Sequence, residues 1–204
     1  MSRNYADGVL RLDLSTAWID LPGPDDDAAA GIAEIVASFS GVADEARVRL
    51  AHALAVVQGI AARLPAGSRR SSALILSPES GRVDALLSIR ASRVTANAYD
   101  NYLEAATGYT GDGVDALVNR VVEELELPNG RAILSRDYQL PANEGGVPAP
   151  ATERAFLALF LSESDTAVEL MFMTQNLALL DDARSFLVAL ASGEKAWFAG
   201  EEGR

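Results

Sequence analysis

Cysteine is absent from the 204 residues. That excludes a disulfide framework, a thiolate nucleophile and any cysteine-ligated metal, and it fits a reducing compartment. Histidine occurs once, as His52, so the commonest general base and metal ligand is nearly missing too. Positive charge is scarce: 17 Lys and Arg stand against 29 Asp and Glu, for a net charge of −12. A chain without a basic footprint is a poor partner for nucleic acid or an anionic membrane surface. No apolar run approaches the roughly 20 residues that cross a bilayer. The opening MSRNYADG lacks the apolar core of a signal peptide, so the expectation is a cytoplasmic protein.

What the chain has is apolar content, 49% of its residues, enough for the core of one domain. The densest stretch is Arg154 to Met173, RAFLALFLSESDTAVELMFM. Two apolar runs flank the polar tetrapeptide Ser162-Glu163-Ser164-Asp165, the pattern of a β-hairpin. Side chains alternate across a strand. Ala155, Leu157, Leu159 and Leu161 therefore share one face and Phe156, Ala158 and Phe160 the other. In the second run Val168, Leu170 and Phe172 oppose Ala167, Glu169, Met171 and Met173. Only Glu169 interrupts the apolar character, and an arginine beside it, Arg90 or Arg136, is the expected partner. A hairpin greasy on both sides has to be covered on both. Helices serve for one face; the other takes a second layer of the same chain, a subunit partner or a ligand.

The remaining segments supply cover. Gly8 to Leu21 opens with a strand and reaches Trp18 after a Ser-Thr turn. Asp25-Asp26-Asp27 precedes an alanine-rich run with Ile32, Ile35, Val36 and Phe39 at helical spacing. The triplet lacks the spaced carboxylates and glycine of a calcium loop and reads as helix capping. Asp44 to Leu64 is the longest expected helix, with Ala46, Leu50, Leu54, Val57, Ala61 and Leu64 on its buried stripe and His52 on its solvated side. Ser72 to Ser92 reads as a first hairpin. Its turn resembles the later one, so a ββα unit used twice is one reading and convergent turn chemistry the other. Asn97 to Thr107 is a short helix with Tyr99, Tyr102, Leu103 and Ala106 inward. Asp112 is expected to cap a further helix striped by Val114, Leu117, Val118, Val121 and Leu125. The glycine-rich Gly108 to Gly113 between them follows a helix, has no lysine after it and carries Asp112 where an anion would sit, so phosphate binding is disfavoured. Arg131 to Leu140 is a strand, Pro141 to Thr152 a mobile loop, and Asp181-Asp182 starts a last helix with Ala183, Phe186, Leu187 and Leu190 inward. The tail carries Trp197 and Phe198. The sum is one α+β domain over residues 1–204, a mostly antiparallel sheet of about six strands under several helices, with a helical insert at 25–64.

The opening strand running from Leu10 into Trp18, and the hairpin leading through TQNLALLDD into the helix Ala183 to Leu190, resemble the Mog1/PsbP-like fold. That group includes the actinobacterial lipoproteins of the LpqN type and their cytoplasmic relatives. This chain departs from the pattern in having Ser15-Thr16-Ala17 where a proline commonly precedes the tryptophan, in lacking a lipidation cysteine, and in its large insert. The resemblance implies a non-catalytic binding or assembly role in a bacterium, in the company of specialised secretion systems, and carries no catalytic residues with it.

Three functions follow. The first is a protein-binding module, an adaptor, chaperone or assembly factor, meeting a partner or a second copy of itself through Leu157, Leu159, Leu161, Met171, Met173, Trp197 and Phe198; its acidic surface would steer basic partners. The second is a small-ligand site, with Met171, Met173, Tyr99 and Tyr102 lining an apolar pocket beneath the 141–152 loop. The third, an enzyme, lacks parts: no nucleophile–base pair and no spaced metal ligands stand out, and Glu123-Glu124 is expected on a solvated helix face. The expectation is no catalytic residue, no cofactor and no metal.

Overall fold

The apolar hairpin lies at the centre of a seven-stranded antiparallel sheet. The computed structural model describes residues 2–5, 10–64, 68–109, 116–140 and 150–194. In chain order these hold β1 (Ser2–Tyr5), β2 (Leu10–Asp13), β3 (Trp18–Asp20), α1 (Ala28–Ser38), α2 (Asp44–Arg63), β4 (Ser68–Leu74), β5 (Ala85–Arg93), α3 (Ala98–Gly108), β6 (Ala116–Leu127), β7 (Gly130–Leu140), β8 (Thr152–Leu161), β9 (Thr166–Thr174) and α4 (Leu180–Ala191). The strand order is β3-β4-β5-β9-β8-β7-β6, with β1 and β2 paired separately. The architecture is α+β. The loop expected at Pro141 to Thr152 falls mainly outside the described residues, and Trp197 and Phe198 fall outside them entirely.

Both faces of the hairpin are covered by this one chain. On the first face Leu157, Leu159, Val168, Leu170 and Phe172 pack with Leu12, Leu14 and Trp18 and with Phe186, Leu187 and Leu190 of α4. Trp18 stacks on Phe186 at 5.5 Å between ring centroids, and Phe186 meets Phe172 at 6.0 Å. On the second face Met171, Met173 and Phe156 pack with Ala73 and Leu86 beneath α1 and α2. Further along the same face Tyr99 and Tyr102 of α3 meet Phe160 edge-on at 5.2 and 6.0 Å. Two helical layers against a central sheet bury apolar area that one layer would leave wet. A second layer within the chain, one of the covers considered above, is the one found.

Local chemistry sets the boundaries. Asp27 caps α1 by accepting from the amides of Ala29 and Ala30 at 3.0 and 3.1 Å, which satisfies donors that the first turn leaves free. The stripe expected on α2 is the buried one, with Leu50 and Leu54 fully enclosed and His52 exposed. At the β6–β7 turn Gly130 has φ +149°, and a Cβ there would sit 2.0 Å from the Phe160 carbonyl oxygen; only glycine allows that approach.

The helix expected after Asp112 is instead the strand β6. Its pairing with β7 slips by one residue between Val118 and Val121, and Asn119 takes φ +54°. This β-bulge reverses the alternation, so Val118 and Val121, three apart, face the same way as Leu125. A bulged strand thus imitates helical spacing. The repeated ββα unit also fails a geometric test. Strands β5 and β9 are antiparallel neighbours, and the two-fold axis relating their hairpins would place both following helices on one face, whereas α3 and α4 lie on opposite faces.

Candidate functional site

Three of the residues expected to meet a partner are interior. Leu157 and Leu159 have no exposure and Leu161 has 6%, all beneath α4. They form no open sheet face, because the helix that follows the hairpin folds back over it. Met171 is 7% exposed and Met173 is half-buried; they differ from the leucines in lining a cleft.

That cleft has a volume of about 580 Å³. Its floor is the second sheet face where β5, β9 and β8 run together, contributing Leu86, Met171, Met173 and Phe156; its wall is the last half of α2, with Val56, Val57 and Ile60, and Leu64 just after it. Thr152, Pro150 and Gln139 stand at one end, where β7 leaves the sheet and β8 enters. Its size is that of a small-molecule site, and so is its apolar lining with a few polar groups. Tyr99 and Tyr102, expected in the same pocket, are elsewhere. Tyr102 instead lines a second cavity of about 220 Å³ between α3 and the sheet, with Tyr109, Arg120, Ser135, Arg154 and Phe156.

Arg154 and Phe156 border both cavities. They are two apart on β8, so alternation puts them on one face, and the guanidinium lies over the Phe156 ring at 5.7 Å. The registers align Arg154 with Asp137 on β7. Asp137 has no side-chain exposure and accepts from Arg154 Nε at 2.8 Å and from Arg120 Nη1. Arg120 also donates to the carbonyl of Ala106 at the end of α3, from Nε at 3.0 Å and Nη2 at 2.8 Å. Arg154 is 9% exposed, and its Nη2 is enclosed without a hydrogen-bond partner among the described residues. Burial pulls its pKa down, but hydrogen bonds and charge from Asp137 and Tyr109 hold it above the ordinary arginine value, so it stays cationic. One carboxylate thus serves two enclosed arginines.

Asp84, which lines the cleft, is occupied as a brace: its oxygens accept from Leu76 N at 2.8 Å and Asn176 Nδ2 at 3.1 Å. Glu169 finds the expected arginine directly across the β5–β9 pair, Arg90, which donates from Nε and Nη2 at 2.7 Å each. Glu123 and Glu124 lie on opposite faces of β6, the first held by Arg184 at 2.9 Å and the second by Tyr99 at 2.8 Å. Among the described residues no group of three or more His, Asp or Glu is placed to hold a metal ion, and no helix is long and apolar enough to cross a membrane. Strand β6 is an edge of the sheet, blunted by its bulge and by Glu123, Glu124 and Glu126, the usual protection against strand addition.

Sequence reading missed the Arg120–Asp137–Arg154 cluster and the role of α2 as a cleft wall. The available signal was a charge in each of two expected strands, Arg154 at the start of the hairpin expected to be covered and Asp137 in the strand before it; a buried charge has to find a counter-ion. Comparisons of the chain with models of protein families and with characterised proteins return no match.

Proposed function

We propose that the chain is a non-catalytic binding protein whose site is the cleft between α2 and the second sheet face, and that it takes a small, largely apolar ligand. The observation that carries this reading is the cleft itself, about 580 Å³ and walled by Val56, Val57, Ile60, Met171, Met173 and Phe156. The burial of Leu157, Leu159 and Leu161 takes those three residues out of the surface on which a protein partner or second copy was expected, which favours the small-ligand reading. Asp84, Glu169 and Asp137, described carboxylates in and around the cleft, are engaged in hydrogen bonds and ion pairs, which favours binding over catalysis. The Mog1/PsbP-like resemblance, itself a proposal, agrees with a non-catalytic role, and the cysteine-free composition suits the cytoplasm.

The test is fluorescence titration with the neutral apolar dye Nile red, beside a Val56→Asp variant. Val56 is 52% exposed and lines the cleft, so a charge there should leave stability within about 0.5 kcal/mol while weakening dye binding about tenfold or more. A wild-type protein that leaves the dye dark, or a variant that binds it unchanged, refutes the reading.

A further inference from the structure

Resting on that reading, we infer that the ligand is an amphipathic monocarboxylate, its apolar body in the larger cleft and its carboxylate against Arg154 where the two cavities adjoin. Arg154 is a cation nine-tenths buried on the border of both cavities. Its Nε is committed to Asp137, while Nη2 is enclosed with no acceptor among the described residues. A buried donor on a charged group left unpaired is costly, and native structures rarely keep one without a water, ion or ligand to satisfy it.

Charge around the junction points the same way. Asp137 is shared between Arg120 and Arg154, so the cluster carries an excess of one positive charge. Arg63 lines the larger cleft and balances the charge of Asp84, the one carboxylate among its described lining residues, whose oxygens accept from Leu76 and Asn176. In a chain of net charge −12 this is a local inversion of sign, where an anion is attracted and a cation repelled. A carboxylate matches the planar guanidinium edge. One surplus charge and one unsatisfied donor balance a monoanion and fall short of a phosphate dianion. The apolar wall from Val56 to Leu64 and the methionines of β9 then accept the hydrocarbon part, methionine adapting to its shape.

The experiment is isothermal titration calorimetry of the full chain with decanoate, 1-decanol, decylamine and decyl phosphate, below their aggregation concentrations. Decanoate should bind at least tenfold tighter than 1-decanol, with decyl phosphate weaker than decanoate and decylamine weakest. Arg154→Gln, with its fold checked by circular dichroism, should bring decanoate to the level of 1-decanol and leave 1-decanol unchanged. Equal binding of decanoate and 1-decanol by the wild type overturns the head-group assignment while keeping the apolar cleft. Tighter binding of decyl phosphate overturns the choice of carboxylate. Binding of none of the four, together with a dark Nile red titration, removes the cleft reading itself. The comparison among ligands on the unaltered protein keeps the assignment testable should the Arg154 variant fail to fold.

Discussion

Replacing Asp137 with asparagine should be among the most damaging isosteric changes available in this chain. The side chain is fully enclosed and is the shared counter-ion of Arg120 and Arg154, whose own side chains are only 18% and 10% exposed. Asparagine keeps the shape, removes the negative charge and turns part of the acceptor surface into a donor facing two cations. Breaking a buried pair by removing one partner costs about 3–5 kcal/mol, because the remaining charge stays buried without compensation. In a domain of this size each kcal/mol moves the melting temperature by about 2–4 °C, so the expected fall is roughly 6–20 °C. Scanning calorimetry and urea denaturation measure it directly. Raised salt should rescue little, since enclosed charges are poorly screened. Glu126→Gln is the control: its pair with Arg131 is 80% and 54% exposed, and such pairs are worth less than about 1 kcal/mol. Combined replacement Arg120→Met, Asp137→Leu, Arg154→Met should recover most of the lost stability and still not bind decanoate in preference to decanol. A fall below about 2 °C for Asp137→Asn would mean that water reaches the cluster, and the account of a dry, undersupplied arginine pair would be wrong.

Two further outcomes are expected. Phe186→Ala removes the ring that joins Trp18 to Phe172 and should cost about 3–5 kcal/mol as a core cavity; near-ultraviolet circular dichroism and the urea midpoint report it, and a loss under 1 kcal/mol would mean that α4 is not the cover of the first face. Tyr102 should titrate well above an ordinary phenol: burial, then the nearby Glu169 charge, push its pKa up to about 12. Its neutral form is favoured in the fold, so the stability it lends is complete below pH 10, the unfolded value, and is lost as pH rises to about 12, on the order of 2–3 kcal/mol in all. Spectrophotometric titration of wild type and Tyr102→Phe checks this, and a set of phenols all titrating near pH 10 would contradict it.

The sequence alone determined most of what a local period or a local cap can encode. Alternation in the 154–173 segment fixed a hairpin and its two faces, the three-four spacing fixed α2 and α4, the triplet Asp25-Asp26-Asp27 marked the start of α1, and Glu169 announced that an arginine lay beside it. Tertiary structure decided what no period carries. A one-residue bulge in β6 made strand spacing look helical, and only pairing with β7 reveals the slip. The cover of the hairpin depended on where α2, α3 and α4 land, which depends on packing between segments far apart in the chain. The candidate site is the extreme case, because Arg154, Asp137 and Arg120 meet through strand register, and the cleft exists only because α2 and the strand ends beside Thr152 converge on one sheet face. Distances between such residues are set by the summed geometry of the whole fold, and a sequence read by windows contains no such sum.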